Sequence, residues 1–420
     1  MATKRHAAVG FIFVTALLDM LAMGIAAPTL PRLISDFLGG STARASEYLG
    51  FFITTFAFMQ FFFAPVLGML SDRFGRRPVV LLSNFGLALD YFIMAWAPSL
   101  HWLFLGRALA GVSASSISTA TAYISDVTPP EKRSKAFGLM GAAFGVGFVV
   151  GPAFGGWLGM YGPRLPFWVA GIGSLLNACY GLFVLPESLA PEKRQPRFDW
   201  SKANPVGSLK LLRSHAELVG LASVNFLGYL AHEIYLTVWV LYAIYRFGWS
   251  QRSVGSALAV VGICSIIVSG VLVGPLTSWL GERRTLLAGL FFGALGFATY
   301  GWAPSSALFL VAIAVNSLWS LAYPTSQALM TQRVSASEQG ELQGAIGSLR
   351  GIAMVIGPQI FASVFAFFIA PEHLLPAAPW YLASTLLAIS LAIAWSVATD
   401  AKRDKDKIGG GLANVEVEVG

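Results

Sequence analysis

Five ionisable side chains interrupt long apolar stretches of this sequence, and their types suit the handling of protons and ions. They are Asp19, Asp90, Arg107, Glu233 and Arg350. A charged group inside an apolar stretch is costly, so it normally faces a partner or a water-filled cavity and serves function. Removal from water favours a neutral acid, so Asp19 and Asp90 could hold a proton or a substrate cation. Arg107 could keep an acid ionised until substrate or conformation separates the two. The structural alternatives are a hydrogen-bond acceptor between helices for the aspartates and a fixed ion pair for Arg107.

A second group of charges lies in the short stretch from Gly68 to Pro78, which reads GMLSDRFGRRP. Arginines next to apolar runs indicate the cytoplasmic side of a membrane. An ordinary basic loop would explain the arginines but neither Asp72 nor the glycine spacing. The stretch therefore suits a cytoplasmic loop that locks two membrane helices together, formed by Gly68, Asp72, Arg73, Gly75, Arg76 and Arg77.

The composition indicates a membrane protein, since 56% of the 420 residues are hydrophobic and 12% are charged. A soluble domain carries about 25% charged residues. Apolar runs of about 20 residues recur along the chain, and we predict an all-α integral membrane protein with twelve transmembrane helices. The first run has no small-residue cleavage site and is expected to be a retained helix. The predicted spans are 8–35, 47–70, 78–97, 102–125, 137–159, 166–186, 217–245, 254–279, 285–303, 307–329, 341–367 and 378–397.

The distribution of basic residues sets the predicted orientation. Of the 28 Lys and Arg residues, 21 fall in the N-terminal segment, the C-terminal segment or the loops on that same side, so both termini are predicted to be cytoplasmic. The net charge of +7 is thus explained without a nucleic-acid partner. Cys179 and Cys264 lie within apolar runs, where small core fillers are expected and a disulfide framework is not.

An internal repeat divides the chain. At a constant offset of 206 residues, Gly68 maps onto Gly274, Gly75 onto Gly281 and Gly138 onto Gly344. We interpret this as a duplicated six-helix unit, which predicts two halves that meet at a central cavity. The predicted domains are residues 1–186, a cytoplasmic linker at 187–215, residues 216–400, and a disordered cytoplasmic tail at 401–420. In the second copy of the charged loop, Ser278 replaces Asp72, so the charged gating work is expected mainly in the first half.

The fifth predicted span is rich in glycine at spacings close to four residues, which lets another helix approach to backbone distance. Pro152 adds a kink. A tight seam of this kind would hinder leakage, although ordinary close packing is an equal interpretation. The residues are Gly145, Gly147, Gly151, Pro152, Gly155 and Gly156.

These motifs resemble those of the major facilitator superfamily, and over residues 10–400 they resemble its tetracycline/proton antiporter branch. The charged loop is similar to the signature loop of the superfamily, and the glycines of the fifth span are similar to the antiporter signature of proton-coupled drug exporters. Leu17-Leu18-Asp19, Met59-Gln60, Asp90-Tyr91 and Gly106-Arg107 also look like that branch. The resemblance implies a transporter that is not an enzyme and needs no cofactor or metal. It makes Asp19, Gln60, Asp90 and Arg107 cavity or coupling residues, and Asp72 with Arg76 the cytoplasmic gate.

Departures from that branch concern the substrate. The ninth span has Gly293 where those exporters place an acid important for the metal-drug chelate, and the eighth has Ser265 where some have a histidine. Conversely, His232, Glu233 and Arg350 stand where uncharged residues are expected. Glu233 is interpreted as a relocated proton acid, a structural His232–Glu233 pair being the alternative. We predict that tetracycline is handled poorly and that the substrate cavity contains Gln60, Asn225, His232, Glu233 and Arg350.

Together these features predict proton-coupled efflux of an amphipathic, drug-like small molecule across a bacterial-type inner membrane by a monomer. The expected partners are the substrate, protons and the lipid bilayer. One alternative is proton-coupled uptake of a polar or anionic metabolite or a siderophore, with Arg350 binding an anionic group. Another is a membrane sensor that does not transport, against which the intact charges at Asp72, Arg76 and Arg77 argue.

Overall fold

A computed structural model of the chain describes residues 2–114, 116–128, 130–195, 204–214, 216–335 and 338–398. The predicted tail at 401–420 and part of the predicted linker lie outside these residues. In the described part of the chain all regular secondary structure is helical. The α-helices are α1 (Ala2–Ala26), α2 (Leu30–Phe37), α3 (Thr42–Phe74), α4 (Arg76–Trp96), α5 (Leu100–Ser113), α6 (Ser116–Val127), α7 (Pro130–Leu158), α8 (Leu165–Val184), α9 (Lys210–Ser214), α10 (Ala216–His232), α11 (Ile234–Thr237), α12 (Trp239–Phe247), α13 (Gln251–Ile267), α14 (Val273–Leu280), α15 (Glu282–Trp302), α16 (Ser306–Ser317), α17 (Ala322–Thr331), α18 (Gln339–Phe368) and α19 (Ala378–Val397).

The helices agree with the predicted membrane class. Among the described residues, 9 helical segments are long and apolar enough to cross a membrane, and a pair interrupted at Val238 brings the number to 10. Every predicted span overlaps one of these helices or a run of consecutive helices. The all-α membrane class is thereby confirmed, whereas the number of twelve spans stays a prediction.

The offset of 206 residues reappears in the helix boundaries. Helix α4 (Arg76–Trp96) and helix α15 (Glu282–Trp302) both have 21 residues, and their ends differ by that offset. Each follows a glycine with a positive φ, 109° at Gly75 and 79° at Gly281. Because side chains rarely adopt such angles, glycine allows both turns at little cost.

Two membrane-spanning segments lose regular α-helical geometry partway along. Residues Val268–Leu272 form a π-helical turn between α13 and α14. Residues Leu318–Leu321 form a 3-10 turn between α16 and α17, and this turn packs against the π-helical one. Irregular backbone at membrane depth is tolerated where it is buried in protein or lines a cavity, so the pair of turns marks a place of functional interest.

The chain forms two compact units. Unit 1 contains the described residues of 1–205, 233–263 and 354–379, and unit 2 contains the described residues of 206–232, 264–353 and 380–398. In unit 1, α1 packs against α7 and α8, and the buried core next to α1 includes Ile12, Tyr123 and Met140. In unit 2, an aromatic stack formed by Tyr300 and Trp380, with ring centroids 4.8 Å apart, fills the core. Unit 1 draws helices from both sides of the predicted linker, whereas unit 2 contains helices only from within the linker and after it. The predicted domain boundaries stay a prediction.

Candidate functional site

An ion pair lies inside unit 1. Asp90 on α4 is fully buried, and Nη2 of Arg107 on α5 donates to its Oδ2. The same nitrogen lies 3.0 Å from Sδ of Met94, and the guanidinium carbon lies 5.7 Å from the centroid of the Phe56 ring. A Cβ added at Gly106 would lie 2.8 Å from Oδ1 of Asp90, so glycine makes room for the carboxylate. The structure therefore brings together two residues that the sequence selected separately.

Asp19 belongs to the same region of unit 1. It lies on α1 with 7% of its surface exposed, and both Asp19 and Asp90 interact electrostatically with Tyr91. One turn before Asp19, Oγ1 of Thr15 donates to Oδ1 of Asn177 on α8 at 3.2 Å. Gln60, which the sequence placed in the cavity, lies half-buried on α3. The buried polar groups of α1, α4, α5 and α8 thus form a polar interior, and the coupling roles of Asp19 and Gln60 stay predictions.

The charged loop between α3 and α4 is a network of short contacts centred on Arg76. Its Nη1 lies 2.5 Å from Oδ1 of Asp72 and 2.6 Å from Oγ of Ser71, and its Nε lies 3.3 Å from Oδ2 of Asp126. Arg73 instead lies against the ring of Phe74, 5.2 Å from its centroid. Sequence reasoning missed Asp126, because an acid at the end of a predicted span is not unusual.

Glu187, a second acid that the sequence analysis missed, caps the N-terminus of α4. Oε1 of Glu187 accepts a hydrogen bond from the backbone N–H of Arg76 at 2.8 Å, and Oε2 accepts one from that of Arg77 at 3.3 Å. A Cβ added at Gly75 would lie 2.2 Å from Oε2 of Glu187, so only glycine leaves space for the carboxylate. A carboxylate at a helix N-terminus satisfies free N–H groups and interacts favourably with the helix dipole. The only signal in the sequence was an acid directly after the sixth predicted span.

The corresponding loop of unit 2 makes the same contact with different chemistry. At an offset of 206 residues, Glu282 replaces Arg76 and Gln332 replaces Asp126. Nε2 of Gln332 donates to the two carboxylate oxygens of Glu282 at 3.0 and 2.9 Å. Ser278, which replaces Asp72, bonds to its own helix through the carbonyl of Pro275. The second copy therefore keeps the position of the contact and loses the ion pair.

The glycines of α7 form a close seam with α1. A Cβ added at Gly151 would lie 2.8 Å from Cα of Gly24, and one added at Gly155 would lie 2.2 Å from the carbonyl oxygen of Ile25. Gly147 faces the same helix one turn earlier. Because larger side chains would push the two backbones apart, these glycines set the distance between α1 and α7.

The opposite face of α7 packs equally closely against α13 within unit 1. A Cβ added at Gly156 would lie 2.9 Å from Cα of Gly255, and one added at Gly255 would lie 2.4 Å from the carbonyl oxygen of Pro152. Further along, a Cβ at Gly262 would lie 2.7 Å from Cγ2 of Val149. The predicted tight packing of this glycine run is thus seen on two faces, and Gly145, half-buried, precedes it.

Helices α3 and α18 also meet within unit 1. Oγ of Ser46 donates to the carbonyl of Ala362 at 3.0 Å, and Oγ1 of Thr54 donates to that of Val355 at 3.1 Å. Between them, a Cβ added at Gly50 would lie 2.6 Å from Cβ of Ala362. This contact joins a helix from before the predicted linker to one from after it.

Unit 2 contains a cluster of aromatic and polar side chains around the two irregular turns. The rings of His232 and Trp319 lie 5.9 Å apart, and those of Tyr229 and Tyr323 lie 6.1 Å apart. Nε2 of Gln327 donates to the hydroxyl of Tyr323 at 2.8 Å. Planar faces with polar edges, as found here, suit the binding of an amphipathic aromatic molecule.

Arg350 lies within electrostatic range of this cluster. It is exposed on α18, eleven residues after Gln339 and so about 16 Å along the helix. Its charge acts on both Tyr229 and His232. Among the described residues of unit 2 it forms no ion pair. Asn225, also predicted for the cavity, is buried and its amide donates to Sδ of Met330 at 3.1 Å.

Glu233 lies in unit 1, buried to 4% exposure, and its backbone carbonyl accepts a hydrogen bond from Oγ1 of Thr237 at 2.8 Å. Its role as a relocated proton acid, and the alternative of a structural pair with His232, stay predictions. Among the described residues no group of three or more His, Cys, Asp or Glu side chains is placed to hold a metal ion.

The sequence profile of the Major Facilitator Superfamily matches residues 12–358 and again 221–411, and the chain belongs to that superfamily. A class C tetracycline resistance protein from Escherichia coli is 36% identical over 405 residues, covering 94% of this chain and 99% of the relative. A class H tetracycline resistance protein from Pasteurella multocida is 31% identical over 385 residues, covering 91% and 94%. The resemblance to the tetracycline resistance branch is thereby confirmed.

Solved structures show the same fold. A D-xylose-proton symporter superimposes with a TM-score of 0.76 at 16% identity, covering 94% of this chain and 98% of the symporter. The human organic anion transporter MFSD10 superimposes with a TM-score of 0.68 at 24% identity, covering 93% and 99%. At these identities the likeness concerns the fold alone.

Proposed function

We propose that this protein is a proton-coupled antiporter that exports an amphipathic, drug-like molecule. Its similarity over nearly the full chain to tetracycline resistance proteins supports export. We further propose twelve spans in two related halves, joined by a cytoplasmic linker at 187–215, with both termini in the cytoplasm of a bacterial-type cell. The shared offset of the α4 and α15 boundaries supports the duplication. The protein works as a monomer in the inner membrane and catalyses no covalent chemistry.

The observation that carries this proposal is the buried Asp90–Arg107 pair. Oδ1 of Asp90 has no hydrogen-bond partner among the described residues, so a proton can be accepted there. Protonation would remove the charge that holds Arg107, which still has the sulfur of Met94 and the ring of Phe56 as neutral neighbours. Because protonation leaves the buried Arg107 charge without its partner in this conformation, proton uptake would shift the balance toward a second conformation in which that charge is better placed.

We assign the cytoplasmic gate to the loop between α3 and α4. Its ion pairs and the cap from Glu187 tie together the ends of α3, α4 and α6 and the chain after α8. Because Arg76 has acids on two sides, a movement of its side chain would break both ion pairs together. The loop would thus stabilise one side of the transport cycle, as Asp72 and Arg76 are expected to do.

The test is transport by the purified full-length protein in proteoliposomes loaded with a pH-sensitive dye. Tetracyclines, other amphipathic drugs, siderophores and sugars would be supplied against an imposed pH gradient. We expect at least one amphipathic drug to dissipate the gradient while moving against the proton flux, and tetracycline to do so weakly. Movement of substrate in the same direction as protons would establish uptake instead, and no flux with any compound would overturn the proposal.

A further inference from the structure

We propose that unit 2 binds a planar aromatic anion, which stacks on Trp319 and pairs with Arg350. This rests on the proposed function and names its substrate class. The cluster of Tyr229, His232 and Tyr323 supplies the remaining walls. All of these residues belong to one compact unit, so the site is complete in a single packed group of helices.

The first step concerns the space beside Gly293. A Cβ added at Gly293 would lie 2.8 Å from Cγ of Trp319 and 2.9 Å from its Cδ1. The indole, together with Cδ1 of Leu387 at 2.7 Å, therefore occupies the volume that any side chain at position 293 would need. The rings of Phe297 and His232 flank the indole, with centroids 5.5 and 5.9 Å away. This site has an indole face where an acidic side chain at position 293 would place a carboxylate.

The second step concerns the backbone. Trp319 lies in the 3-10 turn Leu318–Leu321, which packs against the π-helical turn Val268–Leu272. His232 is the last residue of α10. Two membrane segments thus lose α-helical geometry near one indole, and such breaks occur where backbone is shielded by protein or lines a water-filled cavity.

The third step concerns charge. Within unit 2 the acids with described side chains are Glu282, Glu338 and Glu341, which lie at or just before helix starts. Arg350 lies in the helix interior, and a permanent cation at that depth requires an anion or water. A Cβ added at Gly347, one turn before Arg350, would meet nothing within 4 Å, so there is open space beside it.

The aromatic rings and the guanidinium of Arg350 together favour a planar ligand that carries an anionic group. A flat ring gains dispersion and quadrupole interactions from the indole and the tyrosine rings. A carboxylate or sulfonate on that ring accepts two parallel hydrogen bonds from a guanidinium, a geometry that a neutral group does not reproduce. Gln327 and the hydroxyl of Tyr323 offer polar contacts at the edge of the cluster.

The experiment is isothermal titration of the purified full-length protein, without a proton gradient, using three probes. Naphthoate is planar and anionic, naphthamide is planar and neutral, and cyclohexanecarboxylate is anionic without a flat ring. Naphthoate is expected to bind about tenfold or more tightly than either of the others, the ratio that one charge-assisted contact supplies. Equal affinity for naphthoate and naphthamide would overturn the role of Arg350, and equal affinity for naphthoate and cyclohexanecarboxylate that of Trp319.

Variants assign the contacts. Arg350→Gln should reduce naphthoate affinity to that of naphthamide, and Trp319→Leu should weaken both aromatic probes while Trp319→Phe restores part of the affinity. Matched controls are Arg252→Gln and Trp279→Leu, which change residues exposed elsewhere and should bind naphthoate as the unmodified protein does. Unchanged naphthoate binding by folded Arg350→Gln and Trp319→Leu proteins would refute the site.

A reciprocal variant keeps the test informative if Trp319→Leu fails to fold. Gly293→Ala retains the indole and pushes on it with one methyl group, so naphthoate affinity should fall while Gly274→Ala, where a Cβ meets nothing within 4 Å, leaves it unchanged. Equal affinities in these two variants would contradict the placement of Trp319. Binding is measured here without transport, so the two proposals can fail separately. Selective binding of naphthoate without proton-coupled flux would overturn only the proposed function. Proton-coupled flux without selective binding of naphthoate would overturn only this inference.

Discussion

The Asp90–Arg107 pair is the residue-scale feature on which coupling depends. Its acid is fully buried and its arginine nearly so, with 15% of the side chain exposed. Buried pairs of this kind add little net stability, but removing one partner typically costs 3–5 kcal/mol, roughly, because the other charge is left unpaired. A pair that adds little net stability to the fold, yet is costly to break, suits a conformational switch better than a structural support.

Replacement of Asp90 by asparagine should abolish uphill transport. The amide mimics the protonated acid, so the protein cannot be driven by a pH gradient, whereas downhill exchange should persist. Counterflow of substrate in proteoliposomes, with and without a pH gradient, measures both quantities. Asp19→Asn is the parallel variant. If both variants still built a substrate gradient from a pH gradient, coupling would have to run through Glu233.

At the residue scale, the sequence draws attention to residues that are costly in their surroundings. Asp90 and Arg107 were found because a charge in an apolar run needs a reason. Asp126 and Glu187 were missed because they lie at the ends of spans, where acids are inexpensive. Trp319 was missed as well, since an aromatic residue in an apolar run carries no signal until its contact with position 293 is known.

At the scale of elements, the loop between α3 and α4 acts as one unit with the chain after α8. Arg76 holds Asp72 and Asp126, Glu187 caps α4, and the backbone N–H of Gln195 donates to the carbonyl of Asp72 at 3.0 Å. The loop thus joins the helix ends to the beginning of the predicted linker. Its contacts lie at helix ends and do not include the buried groups around Asp90.

Asp72→Asn is expected to abolish net flux while substrate affinity changes by less than about threefold, under 1 kcal/mol. The substitution removes the charge at the 2.5 Å contact with Arg76 but leaves the buried polar interior unchanged. Equilibrium binding and initial transport rates measured on the same preparation separate the two effects. Affinity that fell in parallel with flux would show that the loop shapes the binding site.

The seam between α7 and α1 should not tolerate even one methyl group. Gly155→Ala places a Cβ 2.2 Å from the carbonyl oxygen of Ile25, and such overpacking costs about 1–3 kcal/mol. Gly173→Ala on α8 is the matched control, because a Cβ there meets nothing within 4 Å and alanine favours a helix. Melting temperatures in detergent should fall for the first variant alone. Equal melting temperatures would mean that the seam can relax.

The elements were largely predictable, because hydropathy reports the apolar part of each span. The first and last residues of the helices were less predictable. Helix α18 begins at Gln339 and α7 at Pro130, before the predicted starts, because polar first turns lie outside the apolar run. The π-helical turn at Val268–Leu272 could not be predicted, since it depends on packing against residues far along the chain.

At the scale of the whole molecule, the compact units do not follow the order of the sequence. Unit 1 includes residues 233–263 and 354–379 from after the predicted linker, and these pack on α7 and α3 through glycines. A repeat in the sequence reports ancestry, whereas a compact unit reports the contacts of one conformation. This is why the sequence could suggest the duplication but not which helices adhere in the structure.

A reducible cross-link between positions 46 and 362 should stop transport. Oγ of Ser46 donates to the backbone carbonyl of Ala362 at 3.0 Å, so α3 and α18 are in contact here, and a short bis-methanethiosulfonate reagent can join cysteines placed at both positions. Alternating access requires these helices to separate, so the cross-linked Ser46→Cys/Ala362→Cys protein should lose flux and regain it on reduction. Cys179 and Cys264 are first replaced by serine, and each single variant serves as control. Undiminished flux in the fully cross-linked protein would exclude movement at this contact.

The two charged loops should differ in their response to salt. Arg76 forms ion pairs in the first loop, whereas Glu282 forms hydrogen bonds to an uncharged amide in the second. Both retain the glycine turn, at Gly75 and Gly281, and both retain a side-chain contact at the same place. An ion pair weakens as salt screens it, whereas a hydrogen bond to an uncharged amide is far less sensitive. On the proposed duplication, the two loops keep the same turn, but the contact in the first should weaken as the salt concentration rises, whereas the contact in the second should change far less.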